Sequence, residues 1–189
     1  YRLLEGGHAF MSDSFGLARN LLRAGDERPK PNGERLKEFG DARKASFEVA
    51  LFSEKPIYAD LEIILLTDAL TLFAENAGFN DALVQKVLAG KSPRERAAEL
   101  INRTKVRDVA FRKKLYEGGA KAVADAKDPL IEIARLVDAP ARALRKEWEA
   151  HDDTKQQAHG IIEKARFAIE GPTRAPDATF TLRLSYGRS

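Results

Sequence analysis

Apolar side chains recur at every third or fourth position along most of this chain, which is the spacing of helices with one buried face. The first such stripe consists of Met11, Phe15, Ala18 and Leu22. Arg19 and Arg23 are not members of this stripe, so the pattern predicts that both lie off the buried face. Two prolines then predict a loop over residues 24–33, and the apolar spacing resumes in a second predicted helix over residues 34–52.

The third predicted helix, residues 57–76, is apolar on two faces. One face carries Leu61, Ile64, Leu65 and Leu72, and the other carries Ile63, Leu66, Leu70 and Phe73. A helix that is apolar over so much of its circumference is expected to be buried between neighbours, so we predict that it forms the centre of the bundle. Asp68 lies inside this helix, where a solvated or ion-paired position is favoured over a functional carboxylate.

Capping signals predict the ends of the shorter helices. Asn80 is predicted to begin one helix and Gly90 to end it. Ser92 and Glu95 then form a capping box, in which the hydroxyl of Ser92 bonds the amide of Glu95 and the carboxylate reaches back. The proline that follows Ser92 suits the first position of that helix.

Further along, a helix over residues 106–116 is predicted to break at Gly118-Gly119. An Asp-Pro pair caps a predicted helix over 130–137, and Asp138 with Pro140 marks the start of a separate long helix over 139–170. The stripe of this long helix is apolar at its ends and polar in the middle, so it is predicted to pack at both ends. Its members are Ala141, Leu144, Trp148, His151, Lys155, Ala158, Ile162, Ala165 and Ile169.

The period of the pattern changes to two near the end of the chain. From Ala178 to Tyr186 apolar and polar residues alternate, which predicts a β-strand. A lone strand leaves its backbone groups unpaired, so we expect it to join a sheet supplied by further protein. The fold class predicted is therefore all-α, an irregular multi-helix bundle over 1–171, followed by a linker and one strand over 172–189 that belongs with missing protein.

The composition of the chain limits the classes of function that it could have. The 32 basic and 29 acidic residues are interspersed and leave a net charge of +3, which does not favour nucleic-acid binding. The chain has no cysteine, and its most apolar run, residues 63–73, is shorter than the ~20 residues of a membrane-spanning helix. The start at Tyr1, without Met or a signal-peptide pattern, fits a position inside a longer polypeptide.

Few residues of the sequence are candidates for catalysis or metal binding. His151, Asp152, Asp153 and His159 are the only potential metal ligands that cluster, and their spacing matches no metal motif, so a solvated helix face is favoured. His8 is predicted to be a loop or helix-start residue. No Gly-flanked serine or phosphate-binding glycine loop occurs. We therefore predict no catalytic residue, metal or cofactor within this sequence.

Several stretches, taken together and in order, resemble bacterial serine dipeptidyl peptidases of the family that includes dipeptidyl peptidases seven and eleven. The most specific stretch is the closing one, although Ala175 stands where that family usually has Tyr. The stretches are Asp60-Leu61-Glu62, Leu88-Ala89-Gly90-Lys91-Ser92-Pro93, Leu115-Tyr116-Glu117-Gly118-Gly119, Asp128-Pro129, Lys164-Ala165-Arg166-Phe167-Ala168 and Pro176-Asp177-Ala178-Thr179-Phe180-Thr181-Leu182-Arg183-Leu184-Ser185-Tyr186-Gly187.

The resemblance implies a chymotrypsin-like double β-barrel with a Ser-His-Asp triad and an inserted helical cap that limits cleavage to dipeptides at a free N-terminus. It also implies that the terminal strand is the return crossing into this missing β-barrel. It implies that the triad lies outside this sequence, that this part alone is inactive, and that the parent enzyme is periplasmic or in the cell envelope. Its partners would be peptide substrates and the rest of the same polypeptide, with homodimerisation of the parent left open.

Without the resemblance, the same strand supports a second hypothesis. A free-standing helical interaction module could add its terminal strand to the sheet edge of a partner. The two hypotheses differ in whether the strand belongs to the same polypeptide as its sheet.

Overall fold

The computed structural model describes residues 4–5 and 9–171. Seven α-helices lie in this part of the chain, which confirms the all-α class, while the predicted strand at 178–186 lies outside the described residues. The helices are α1 (Asp13–Glu27), α2 (Lys44–Leu51), α3 (Ala59–Ala77), α4 (Ala82–Leu88), α5 (Pro93–Arg103), α6 (Val109–Asp125) and α7 (Pro129–Glu170).

The chain divides into two compact units, 1–146 and 147–189. In the first unit α1 packs against α6 and α3 packs against α5. Large apolar side chains that are almost completely buried form its core, namely Phe10, Phe15, Leu21, Leu51, Leu66, Leu70, Leu100, Ile101, Leu130 and Ile131. The predicted division at 171/172 stays a prediction.

Helix α1 is longer than its pattern predicted. Ser12 caps it, because its hydroxyl accepts a hydrogen bond from the amide of Phe15, and the helix continues through Gly25 to Glu27 instead of ending before a loop. A Cβ built on Gly25 would lie 3.0 Å from the Cα of Ala120 in α6. The glycine is therefore a close-packing residue between two helices and not the start of a loop.

The prediction of a continuous helix over residues 34–52 is mostly wrong. The segment is folded into three short 3₁₀ turns, Asn32–Glu34, Lys37–Phe39 and Asp41–Arg43, and only residues 44–51 form an α-helix. The amide of Leu36 donates to the buried carboxylate of Glu27, a tertiary contact that a continuous helix could not make with the same backbone group.

Helix α3 is buried on one face only. Leu66, Leu70 and Phe73 lie in the core, which agrees with the prediction for that face. The opposite face is exposed instead of buried, with Ile64 60% exposed, and Leu61 and Leu72 also exposed. The prediction that α3 is surrounded by neighbours is therefore wrong within the described part of the chain, and Asp68 is solvent-exposed as expected.

The local capping predictions are largely confirmed. Ser92 and Glu95 form the complete capping box of α5. Helix α4 begins at Ala82, two residues later than predicted, because Asp81 is its cap: the carboxylate of Asp81 accepts from the amides of Leu83 and Val84. Helix α6 is kinked at Gly119, whose positive φ of 63° suits glycine and marks the predicted break.

The two helices predicted on either side of Pro140 are one continuous helix, α7. Asp138 does not cap a new helix at this point. Its carboxylate instead accepts hydrogen bonds from Arg23 and Arg142, so the expected capping group is occupied by a tertiary ion pair. Pro140 thus lies inside a helix that its surroundings maintain.

In the second unit the described residues are those of α7 from 147 to 170, and Gly171. The apolar residues near the carboxyl end of this helix are exposed, with Ile169 85% exposed, so the predicted packing at that end is not observed among them. Among residues 4–5 and 9–171, no helix is long and apolar enough to cross a membrane.

Candidate functional site

The residues considered as metal ligands lie along the exposed surface of α7 in the second unit. His151, Asp153 and His159 are exposed, and Asp152 is half-buried. Over the described ranges, three or more His, Cys, Asp or Glu side chains never come together in a group that could hold a metal ion. His8 lies outside the described residues.

The serines that the structure describes are structural. Ser12 donates to Glu62, Ser46 donates to a backbone carbonyl, Ser53 accepts from the amide of Lys55, and Ser92 belongs to the capping box. Ser14 is completely buried, and its Oγ has no hydrogen-bond partner. The described residues therefore place no serine beside a histidine and an acid, the arrangement that serine catalysis requires.

Glu62 of α3 binds the amino end of α1. Its carboxylate is almost completely buried and accepts hydrogen bonds from the Ser12 hydroxyl at 2.8 Å, the Ser14 amide at 2.8 Å and the Asp13 amide at 3.2 Å. Free amides and the positive end of the helix dipole both favour an anion at this place. Glu62 thereby fixes α1 against α3.

A network of buried ion pairs joins α1 to the first part of α7. The guanidinium of Arg23 is 2% exposed, contacts both carboxylate oxygens of Glu5 at 2.6 and 2.7 Å, and donates from Nε to Asp138 at 2.6 Å. Burial opposes the charge of Arg23, but the hydrogen bonds to Glu5 and Asp138 outweigh it and raise its pKa. The prediction that Arg23 lies off the buried face is wrong because these carboxylates compensate its burial.

Arg142 extends this network to Glu27. Its Nη1 donates to Glu27 at 2.7 Å and its Nε to Asp138 at 2.6 Å. Burial alone would raise the pKa of Glu27, but hydrogen bonds from Lys30, Arg142 and the Leu36 amide outweigh burial and lower the pKa to about 2. Glu27 is therefore ionised at neutral pH and ties α1 to both α7 and the following turn.

Arg145 connects α7 to the second 3₁₀ turn. It contacts both carboxylate oxygens of Glu38, at 2.6 and 3.0 Å, and also Glu5 at 3.2 Å. Burial opposes ionisation of Glu38, but the hydrogen bond from Arg145 outweighs it and lowers the pKa of that carboxyl. The non-helical segment before α2 is thus held by charge as well as by apolar packing.

Arg112 of α6 is buried without a carboxylate partner among the described residues. Its guanidinium donates to four backbone carbonyls, those of Leu51, Ser53, Val106 and Arg107, at 2.6 to 2.9 Å. Burial lowers its pKa, although nearby Asp108 partly offsets this effect. Arg112 fixes the end of α2 to the turn before α6 and leaves a positive charge in the wall of an open cleft.

That cleft has a volume of about 790 Å³ and lies within the first unit between α1, the segment after α2 and the start of α3. Cationic and apolar side chains share its walls. The lining residues are Met11, Ser12, Asp13, Gly16, Leu17, Arg19, Asn20, Ala50, Leu51, Ser53, Lys55, Pro56, Ile57, Leu65 and Arg112.

A second cleft, of about 450 Å³, lies at the carboxyl end of α1 against the kinked part of α6. Arg28 spans it, because its guanidinium lies 4.1 Å from the ring centre of Tyr116 and donates to the carbonyl of the same residue. Its charged lining residues are balanced in sign and favour no ligand charge; they are Arg28, Arg35, Lys44, Glu38, Asp41 and Glu117.

Sequence reasoning missed the residues that organise the first unit. Arg23 and Asp138 are 115 positions apart, and no local pattern connects them. The one available signal was the presence of charged residues next to apolar stripes, as for Arg23 in α1 and Glu62 in α3. Such positions are usually solvated, so only the fold shows which of them are buried.

Buried ion pairs thus hold the helices of the first unit together, and the described part of the chain lacks the constellation for serine catalysis. Compared with known families, residues 1–189 match the sequence model of Peptidase S46. The chain belongs to this family of serine dipeptidyl peptidases. A search of curated proteins gives no match.

Proposed function

We propose that residues 1–171 are the helical cap of a serine dipeptidyl peptidase and that the catalytic residues lie in another part of the same polypeptide. One observation carries this proposal. The family match extends over residues 1–189, yet the described residues are helical and bring no serine, histidine and acid together. A peptidase needs that constellation, so this region is assigned a role other than bond cleavage.

The packing of the first unit suits a cap. An exopeptidase must stop a peptide from running through its cleft, and a lid does this only if it holds its shape. Glu62, Arg23 and Arg145 each tie elements together through charge-assisted hydrogen bonds, which are stronger than neutral ones. We infer that the first unit acts as a rigid body and that the cap to which it belongs limits cleavage to dipeptides at a free N-terminus.

The proposed substrates are peptides, and the proposed location is the periplasm or cell envelope of a bacterium. Both extend the family assignment, which supports peptidase activity and is compatible with secretion.

The test uses the full-length polypeptide in which residues 1–171 are replaced by a short flexible linker. The intact enzyme should release coumarin from a dipeptidyl substrate and leave an N-acetylated peptide uncut. The shortened enzyme should lose this preference and cleave the N-acetylated peptide internally.

Labelling with a fluorophosphonate shows whether the catalytic serine of the shortened enzyme is still reactive. A labelled, capless enzyme that still refuses N-acetylated peptides contradicts the proposal. If the shortened enzyme is not labelled, dipeptide release is measured for the isolated chain 1–189. Robust release that a serine-directed inhibitor blocks would place catalysis in this chain and overturn the proposal.

A further inference from the structure

Most of the charged side chains that line the 450 Å³ cleft at the carboxyl end of α1 are already paired within the protein. Two of these pairs are close and the third is long. The pairs are Arg35 with Asp41 at 2.7 Å, Glu38 with Arg145 at 2.6 Å, and Lys44 with Glu48 at 4.0 Å. One acidic side chain, Glu117, and one basic side chain, Arg28, form no ion pair with any described residue.

The carboxylate of Glu117 is available to a cation. Glu117 follows Tyr116 in α6, is exposed, and forms no hydrogen bond with residues 4–5 or 9–171. An ionised carboxylate can only accept hydrogen bonds, and cationic donors such as an ammonium group are its strongest partners. Glu117 therefore offers a place for the positive group of a ligand.

Arg28 is held in one orientation and keeps unused donors. Its guanidinium lies 4.1 Å from the ring centre of Tyr116, and its Nη1 donates to the carbonyl of the same residue at 2.6 Å. These two contacts direct the guanidinium towards Tyr116 and not towards Glu117. The Nε and Nη2 groups of Arg28 have no acceptor within the described part of the chain, so they can donate to a carboxylate.

The two available groups border the same end of the cleft. Arg28 is bonded to the carbonyl of Tyr116, and Glu117 is the next residue in α6. An α-amino acid carries its ammonium and its carboxylate on one carbon atom, so it suits a cation and an anion that lie close together. Such a ligand has no net charge, which agrees with the balanced charges of the lining residues.

Aromatic side chains form another wall of the cleft. Phe39 is buried and Phe47 is half-buried, and their ring centres lie 5.0 Å apart. An aromatic ring placed in the cleft can contact both of them. Space for such a ring remains because several lining residues from α1 and α6 are small. They are Ala24, Gly25, Gly119 and Ala120.

We propose that this cleft binds a free aromatic amino acid, whose ammonium pairs with Glu117, whose carboxylate pairs with Arg28 and whose ring packs against Phe39 and Phe47. The volume of the cleft lies in the range of small-molecule sites. The proposed function as a cap does not require this site, and the site does not require a catalytic residue. The two can therefore fail independently.

The test is isothermal titration calorimetry of the chain 1–189 with L-phenylalanine, which should bind saturably. N-acetyl-L-phenylalanine lacks the ammonium and L-phenylalaninamide lacks the carboxylate. Each should bind about tenfold more weakly, as expected for the loss of one charge-assisted pair. L-Alanine, which lacks the ring, should also bind more weakly than L-phenylalanine. Raising the salt concentration should weaken the binding of L-phenylalanine.

Two substitutions assign each charge of the ligand to its partner. Glu117→Gln should weaken the binding of L-phenylalanine about tenfold and leave that of N-acetyl-L-phenylalanine unchanged, because the acetylated compound has no ammonium to pair. Arg28→Gln should likewise weaken the binding of L-phenylalanine and leave that of L-phenylalaninamide unchanged. A substitution that only disturbed the fold would weaken the binding of every compound.

Glu75→Gln and Arg94→Gln are the matched controls, since both residues are exposed and lie in α3 and α5. They should bind L-phenylalanine as the unmodified chain does. Arg28→Gln also removes contacts with Tyr116, so urea unfolding checks that this variant is folded. Glu117→Gln removes no contact with a described residue and decides the matter if Arg28→Gln is unfolded.

Three results would overturn the inference. The first is no saturable binding of L-phenylalanine, and the second is equal binding of L-phenylalanine and its N-acetyl derivative. The third is a Glu117→Gln variant that binds L-phenylalanine as tightly as the unmodified chain. Tighter binding of the dipeptide alanyl-phenylalanine than of L-phenylalanine would overturn the assignment to a free amino acid, because the two charges of the dipeptide lie one residue apart.

Discussion

Replacing Arg112 by methionine tests whether a single buried guanidinium holds the end of α2 to the turn before α6. Its side chain is 1% exposed and donates to the carbonyls of Leu51, Ser53, Val106 and Arg107. Methionine has a similar length and fills most of the same space, but it donates nothing. The main effect of Arg112→Met is therefore the loss of partners for these backbone carbonyls.

The expected loss in the free energy of unfolding depends on how deeply those carbonyl groups are buried. The bonds to Leu51 and Val106 are fully buried, and the other two are partly buried. An unsatisfied buried group costs about 1–3 kcal/mol, so two of them give an expected loss of about 2–6 kcal/mol. Because a domain is stable by only about 5–15 kcal/mol, the variant should unfold at a much lower urea concentration.

The assay is urea unfolding of the chain 1–189, followed by far-ultraviolet circular dichroism. Arg135→Met is the matched control, because Arg135 also donates to two backbone carbonyls, those of Val123 and Ala124, but is exposed. The control should lose less than about 1 kcal/mol, since water can replace its bonds. If Arg112→Met lost no more than Arg135→Met, the reasoning on buried carbonyls would be refuted.

Three further predictions concern stability. The pKa of Glu27 falls from 4.5 to about 2 on folding, which contributes up to about 3 kcal/mol to the free energy of unfolding. This contribution is present above pH ~4.5 and is lost as the pH falls towards 2. Glu27→Gln should therefore make the stability measured by urea titration less dependent on pH in this acid range. Gly25→Ala should lower the urea midpoint because its Cβ meets the backbone of α6 at 3.0 Å, whereas Gly16→Ala should raise it. Glu62→Gln should cost about 1.5–3 kcal/mol in the same assay because its bonds to the α1 amides lose their charge. The exposed neighbour Asp68→Asn is its control and should be nearly neutral.

For each of these three stability predictions, one result would contradict the reasoning. An unchanged acid profile for Glu27→Gln would mean that other carboxylates set the acid sensitivity. A stabilising Gly25→Ala would show that α6 moves aside without cost, and equal effects of Glu62→Gln and Asp68→Asn would remove the charged capping role of Glu62.

The network around Arg23 makes the first unit depend on charges that must remain paired. Removing one partner of a buried ion pair is more costly than replacing the whole pair, because it leaves an uncompensated charge in the interior. This property fits a domain whose proposed role requires a fixed shape.

The sequence alone determined the features that arise between near neighbours in the chain. The all-α class, the capping box of Ser92 and Glu95 and the kink at Gly119 depend on residues within about one helical turn, where the backbone bonds and caps are formed. The family resemblance was also carried by the sequence, and the match over residues 1–189 confirms it.

The tertiary structure alone decided which polar groups were buried and where helices continued. Residues 24–27 extend α1 because Gly25 permits α6 to approach, and α7 runs through Pro140 while Asp138 pairs with Arg23 instead of capping a new helix. The exposed face of α3 likewise depends on which elements surround it. Such outcomes are set by residues far apart in the chain, and their energies exceed the local preferences that a sequence pattern records.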